Sequence, residues 1–203
     1  MKPYLCSKPK RSVAGFTLIE VLVVIIIIGI LFAIAAPGWE AFLSRQRISS
    51  GREQVLQVLR QAQSEARTTR TPRVVVFDVN PPNGIPRVAY ARFSSASAYP
   101  VPINSVSNWK SLGSDIPSNA LRMRTNTTAN QIVFDGKGAV ALPTSLVNVP
   151  ANQFAALPNS SEQGFAVTVS SGRVPPAQTD TRRCVIVQTL LGSIRLAEGA
   201  NCP

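Results

Sequence analysis

The 203-residue chain contains no histidine. The commonest general base and the commonest metal ligand are therefore both missing. Acids are scarce, with ten Asp and Glu against 21 Lys and Arg, and charged residues make up only 15% of the whole. No Walker loop, HExxH, GxSxG or CxxC occurs. Asp78 and Asp135 each follow an apolar run, so a carboxylate pair is conceivable, but residues so placed more often cap turns. Asp180 and Glu198 are the only acids near the C-terminus, too few for a clustered calcium site. The chain is expected to be no enzyme and to hold no metal or cofactor. Repeats of 20–50 residues are also lacking.

Cysteine is nearly absent too, with Cys6, Cys184 and Cys202 alone. An odd count is awkward for a secreted chain unless Cys6 is cut away. The remaining two would then close a loop worth on the order of 3 kcal/mol, in an oxidising compartment.

What is present is unevenly distributed. The net charge is +11. Lys2, Lys8, Lys10 and Arg11 precede the first acid, and the rest of the chain still carries seventeen cations against ten acids. That remainder is basic enough to attract polyanions or acidic protein surfaces. Residues 16–36, FTLIEVLVVIIIIGILFAIAA, are almost wholly apolar. As a helix they would span about 31 Å, close to the ~30 Å of a bilayer core. The run outlasts the h-region of a signal peptide, about 7–15 residues. Its basic flank keeps the N-terminus cytoplasmic by the positive-inside rule, with the rest of the chain across the membrane. Glu20 lies inside the run. An acid at the centre of a spanning helix costs roughly 2.5–3.5 kcal/mol on the mildest scale, so it marks a function. The plainer reading is a residue snorkelling to the headgroups.

Pro37-Gly38 interrupts the run, a pair that bends a helix axis. Helical periodicity then resumes with Ile48, Val55, Leu56, Leu59, Ala62 and Ala66 on one face. Arg45, Arg47, Arg52, Glu53, Arg60, Gln63 and Arg67 lie on the other. Thr71-Pro72 stops it. Residues 16 to about 70 thus read as one long helix, on the order of 80 Å if unbroken. Short β-branched runs follow at Arg73–Val79, Arg87–Phe93, Gln131–Phe134 paired with Ala139–Leu142, Gly164–Ser170, and a last hairpin of Cys184–Thr189 with Ser193–Leu196. Residues 94–120 and 143–163 read as loops. The fold class is α+β: a long N-terminal helix, apolar and transmembrane in its first half, amphipathic in its second, packed on a C-terminal antiparallel β-sheet domain.

The stretch Lys10-Arg11-Ser12-Val13-Ala14-Gly15-Phe16-Thr17-Leu18-Ile19-Glu20-Val21-Leu22-Val23-Val24 resembles the start of the type IV pilins and pseudopilins. The resemblance implies cutting between Gly15 and Phe16 by a prepilin peptidase and methylation of the new amino group. It implies a leader at 1–15, a transmembrane polymerisation helix at 16–38, an amphipathic helix at 39–72 and a periplasmic β-rich domain at 73–203. Removing the leader removes Cys6 and leaves Cys184 and Cys202 as a candidate disulfide. Glu20 would meet the amine of an adjoining subunit, and Pro37 matches the helix break common in this superfamily. The globular part is similar to the FimT/GspH branch at 61–67 (QAQSEAR), 74–78 (VVVFD), 132–138 (IVFDGKG) and 183–187 (RCVIV). That branch often ends in a Gly-Arg-x-Arg turn; here Gly192-Ser193-Ile194-Arg195 has one arginine replaced by serine. Gly172-Arg173-Val174-Pro175 is a second partial echo.

The function implied is a minor pilin of a type IV pilus, inserted in the inner membrane and then built into a filament with other pilins, priming assembly. The alternative is a GspH-like pseudopilin of type II secretion. DNA uptake is a further expectation, with Arg173, Arg182, Arg183 and Arg195 as candidate phosphate contacts and Lys137 beside them. The plainer reading of those arginines is solvated surface. Inner-membrane lipid, the prepilin peptidase and other pilins are the expected partners.

Overall fold

The computed structural model describes residues 15–94, 99–113, 116–141, 153–158, 162–172 and 181–203, and for residues 35–38 the backbone only. Helix α1 runs Leu18–Thr69. It stops where Arg70 turns left-handed, with φ 51°, a conformation that ends a helix. The chain divides into two compact units, Met1–Ala41 and Phe42–Pro203.

Among the described residues of the second unit, α1 is followed by nine strands: β1 Arg73–Asp78, β2 Arg87–Arg92, β3 Lys110–Ser111, β4 Leu121–Thr125, β5 Gln131–Phe134, β6 Ala155–Ala156, β7 Gln163–Ser171, β8 Arg183–Val187 and β9 Ile194–Glu198. They form two antiparallel sheets, not one. The first is ordered β3-β2-β1-β5 and the second β4-β7-β8-β9, with β6 also paired to β7. Strands β3 and β6 fall inside stretches whose Ser, Pro and Asn content reads as loop. Of the expected hairpin strand at 139–142, residues 139–141 form no strand and Phe134 and Val140 make a single bridge; residue 142 lies outside the described residues. Most of the 143–163 stretch lies outside the described residues.

Both sheets bury one face against the same helical stripe. Ile48, Val55, Leu56, Val58, Leu59, Ala62 and Ala66 pack with Val75, Phe77, Ile132 and Phe134 of the first sheet and with Phe165, Val167, Val169, Val185 and Val187 of the second. Each large side chain buried in this way contributes about 1.5–3 kcal/mol. The opposite faces are covered as well. Val74, Val76 and Val133 pack with Ala89, Phe93, Val106 and Ala141. Ala166, Cys184 and Ile186 pack with Leu157 and Cys202. Burial on two faces explains why β1, β5 and β8 are continuous apolar runs and not alternating ones.

Half-buried and buried polar groups join the layers. Gln63 Nε2 donates to Gly138 O at 2.8 Å and to Gly192 O at 2.9 Å. One amide on α1 thus holds the turn after β5 and the β8–β9 turn together. Gln153 accepts from Val133 N at 2.8 Å and donates to Ala141 O, and Gln131 exchanges two bonds with the backbone of Val101. Each amide acts as a piece of strand, satisfying backbone groups that would otherwise be buried without partners.

Candidate functional site

Gly15, Phe16 and Thr17 are exposed and non-helical, and α1 begins at Leu18. The Gly15–Phe16 bond therefore lies in open backbone, where its N–H and C=O are not locked into an i→i−4 ladder. Thr17 caps the helix: Glu20 N donates to its Oγ1 at 3.3 Å and to its carbonyl at 3.1 Å. Thr17-x-x-Glu20 has the spacing of a capping box. Glu20 thus stands in the first turn, where the helix dipole favours a negative charge. The spacing Thr17-x-x-Glu20 is the signal for this role in the sequence.

Around Glu20 the surface is hydrocarbon. Every large apolar side chain from Phe16 to Ile34 is at least 46% exposed. A soluble monomer rarely leaves so large an apolar patch uncovered. Among the described residues no single helix is long and apolar enough to cross a membrane, but Leu18–Ile34 and Trp39–Thr69 meet the test of length and composition together. Leu18–Ile34 alone reaches about 26 Å, under one turn short of a ~30 Å core. Pro37 falls within the helical span; its side chain is outside the described set.

Among the described residues, Arg182, Arg183 and Arg195 do not form one free cationic patch. Arg183 Nε lies 3.5 Å from Glu198 Oε1, and its Nη1 donates to Ser49 Oγ. Arg52 Nη1 reaches the same Glu198 oxygen at 2.7 Å. Two guanidiniums thus share one carboxylate and tie β8 and β9 to α1. Arg195 Nη2 lies 3.9 Å from Glu162 Oε2. The Nε of Arg182 is buried with no hydrogen-bond partner. Lys137 is exposed at a turn tip. Arg173 lies outside the described residues.

Cys184 and Cys202 are joined by a disulfide, with Cα atoms 5.7 Å apart, and both are buried. The bond fastens the C-terminal segment to the middle of the second sheet. The two aspartates are structural. Asp78 accepts from Arg87 Nε at 2.8 Å, and Arg87 lies over Trp109. Asp135 Oδ1 accepts from Lys137 N and Ala139 N and closes its own turn.

Residues 10–36 match the prokaryotic N-terminal methylation motif. That match spans the basic leader residues Lys10 and Arg11, the Gly15–Phe16 bond, the Thr17 cap and Glu20. The match covers those 27 of the 203 residues. The chain's long N-terminal helix and antiparallel sheets make it an α+β protein. Among solved structures, the chain is similar to the type IV minor pilin FimU of Pseudomonas aeruginosa, at 16% identity over 80% of this chain and 96% of that one, with a TM-score of 0.48. It is also similar to the minor pseudopilin EpsH from the Type 2 Secretion System of Vibrio cholerae, at 15% identity over 75% and 97% of the two chains, with a TM-score of 0.45. No sequence among curated proteins gives a significant match.

Proposed function

We propose that this protein is a minor pilin of a type IV pilus that helps to start or extend the filament. One observation carries the reading: a single carboxylate, Glu20, stands in the first helical turn of an exposed apolar segment, directly after a Gly–Phe bond in open backbone. Cutting at Gly15–Phe16 on the cytoplasmic side removes the leader 1–15 and spares the apolar helix, so the chain stays in the inner membrane. It also creates an ammonium at Phe16, one helical turn from Glu20. In a packed bundle of such helices, the amine of one subunit meets the carboxylate of the next. A matched pair is tolerated at low dielectric, whereas an unmatched charge costs several kcal/mol. That difference selects one axial register between subunits. Pro37 lets the helix adjust as it leaves the bilayer, and residues 73–203 fold in the periplasm, where Cys184 and Cys202 are oxidised.

Mass spectrometry of the mature protein tests this reading. The expected N-terminus is Phe16 bearing one added methyl, and a chain that retains Met1 overturns it. A secretion pseudopilin would share these first steps, and it differs in co-purifying with a secretion machine and not with sheared pili. DNA contact by Arg173, Arg182, Arg183 and Arg195 is the weaker reading, because Arg183 and Arg195 already face carboxylates.

A further inference from the structure

The second sheet has an open edge at β4. Strand β4 pairs with β7 on one side, and among the described residues no backbone pairs with its other side. The register fixes which groups are free. Gly172 N donates to Ala120 O, and Asn126 N donates to Ala166 O. Ala120, Arg122, Arg124 and Asn126 therefore direct their backbone groups toward β7. In an antiparallel strand the direction alternates, so the N–H and C=O of Leu121, Met123 and Thr125 point away from the sheet.

They point into a cleft of about 670 Å³, within the range of peptide- and ligand-sized sites. Its far wall is the β1–β2 turn, with Asn80, Pro81, Gly84 and Pro86. Asn119 N donates to Gly84 O at 3.1 Å, and Phe77 N donates to Asn130 O at 2.9 Å. These two bonds tie the turn and β1 to the chain before and after β4, and so frame the cleft. The side chains of Arg122 and Arg124 border it and are exposed, while Leu121 and Met123 are buried in the core. No Asp or Glu side chain lines the cleft, and the last residue, Pro203, borders it. Neither arginine meets a carboxylate among the described residues.

We propose that this cleft accepts a short, extended, acidic peptide segment that adds to β4 as an antiparallel strand. The edge of β4 supplies backbone hydrogen bonds, as in other β-strand additions. Arg122 and Arg124, two residues apart on one face, are spaced to meet carboxylates at alternate positions of an opposing strand. The frame limits the occupant to about five residues, since β4 spans roughly 17 Å; a chain terminus or a loop tip satisfies this. The other function of exposed charges on an edge strand is to repel pairing. Here the sign of that repulsion becomes the selection rule: basic strands are rejected and acidic ones admitted. This inference does not depend on filament membership.

The test uses the mature full chain in neutral detergent micelles and a fluorescent Glu-Val-Glu-Val-Glu peptide, read by anisotropy. The expected result is saturable binding that weakens as salt rises and falls at least tenfold in the Arg122→Ala/Arg124→Ala double variant, whose circular dichroism should match the parent. A Lys-Val-Lys-Val-Lys peptide should not bind. An acidic peptide N-methylated at alternate backbone nitrogens should lose at least tenfold, because it keeps the charges and loses the donors. Amide exchange at Met123 should slow in the complex. Equal binding by the N-methylated or the basic peptide would overturn the proposal. So would a single-stranded oligonucleotide that binds through the same arginines while the peptide does not.

Discussion

Single side chains join the layers and register their burial. Gln63 has one amide and two carbonyls to serve, at Gly138 and Gly192. Gln63→Ala leaves both carbonyls without that donor and is expected to cost about 2–3 kcal/mol, read as a lower urea midpoint at unchanged slope. Gln63→Glu should be no better, since a carboxylate cannot donate. Tyr99 reports on burial. Desolvation pushes its phenol up to about 12, and Tyr90 is raised too, first by burial and then by the Glu65 carboxylate. A raised pKa means the folded state holds the proton more tightly. The stabilisation is therefore complete below pH 10 and is lost as pH rises from 10 through about 12. Ultraviolet titration of the mature chain, which keeps only these two tyrosines, should show no phenolate appearing with the normal pKa near 10. Thr17 belongs to the same scale: the cap it forms was encoded in Thr17-x-x-Glu20, four residues whose spacing alone states the role.

At the scale of elements, what was legible followed from burial. The helical stripe from Ile48 to Ala66 stood out because one face alone is buried and the period is 3.6. Strands β1, β5 and β8 stood out because both their faces are covered, leaving runs such as VVVF and CVIV. Strand β4 was hidden for the opposite reason. Its Arg122 and Arg124 face solvent, so only Leu121 and Met123 mark it as sheet. The split into two sheets was also invisible, because it depends on which strands meet across long separations. The same holds for the Arg52–Glu198–Arg183 cluster, whose Arg52 and Glu198 stand 146 residues apart. Two measurements probe this level. Gly172 ends the β4–β7 ladder where an added Cβ would collide with the Asn119 carbonyl. Gly172→Ala should therefore lower the thermal midpoint by several degrees, a cost of at least 1–3 kcal/mol. Removing the disulfide by Cys184→Ser/Cys202→Ser should cost about 3 kcal/mol, measured by denaturant titration under oxidising conditions.

For the whole molecule the division of labour lies between the two compact units. Residues 42–203 contain the shared core of α1 and both sheets. A fragment beginning at Phe42 should fold, stay soluble and unfold in one cooperative step, without detergent. Among its described residues the first unit buries no side chain; it exposes hydrocarbon, with Glu20 and Glu40 as its acids, and Glu20 decides whether the account holds. The direct measurement is the amount of Glu20→Ala protein in sheared filaments, compared with the parent at equal levels of processed chain. The account predicts that the variant is still cut to begin at Phe16, yet is at least tenfold depleted from the filaments. Equal incorporation of variant and parent would contradict it.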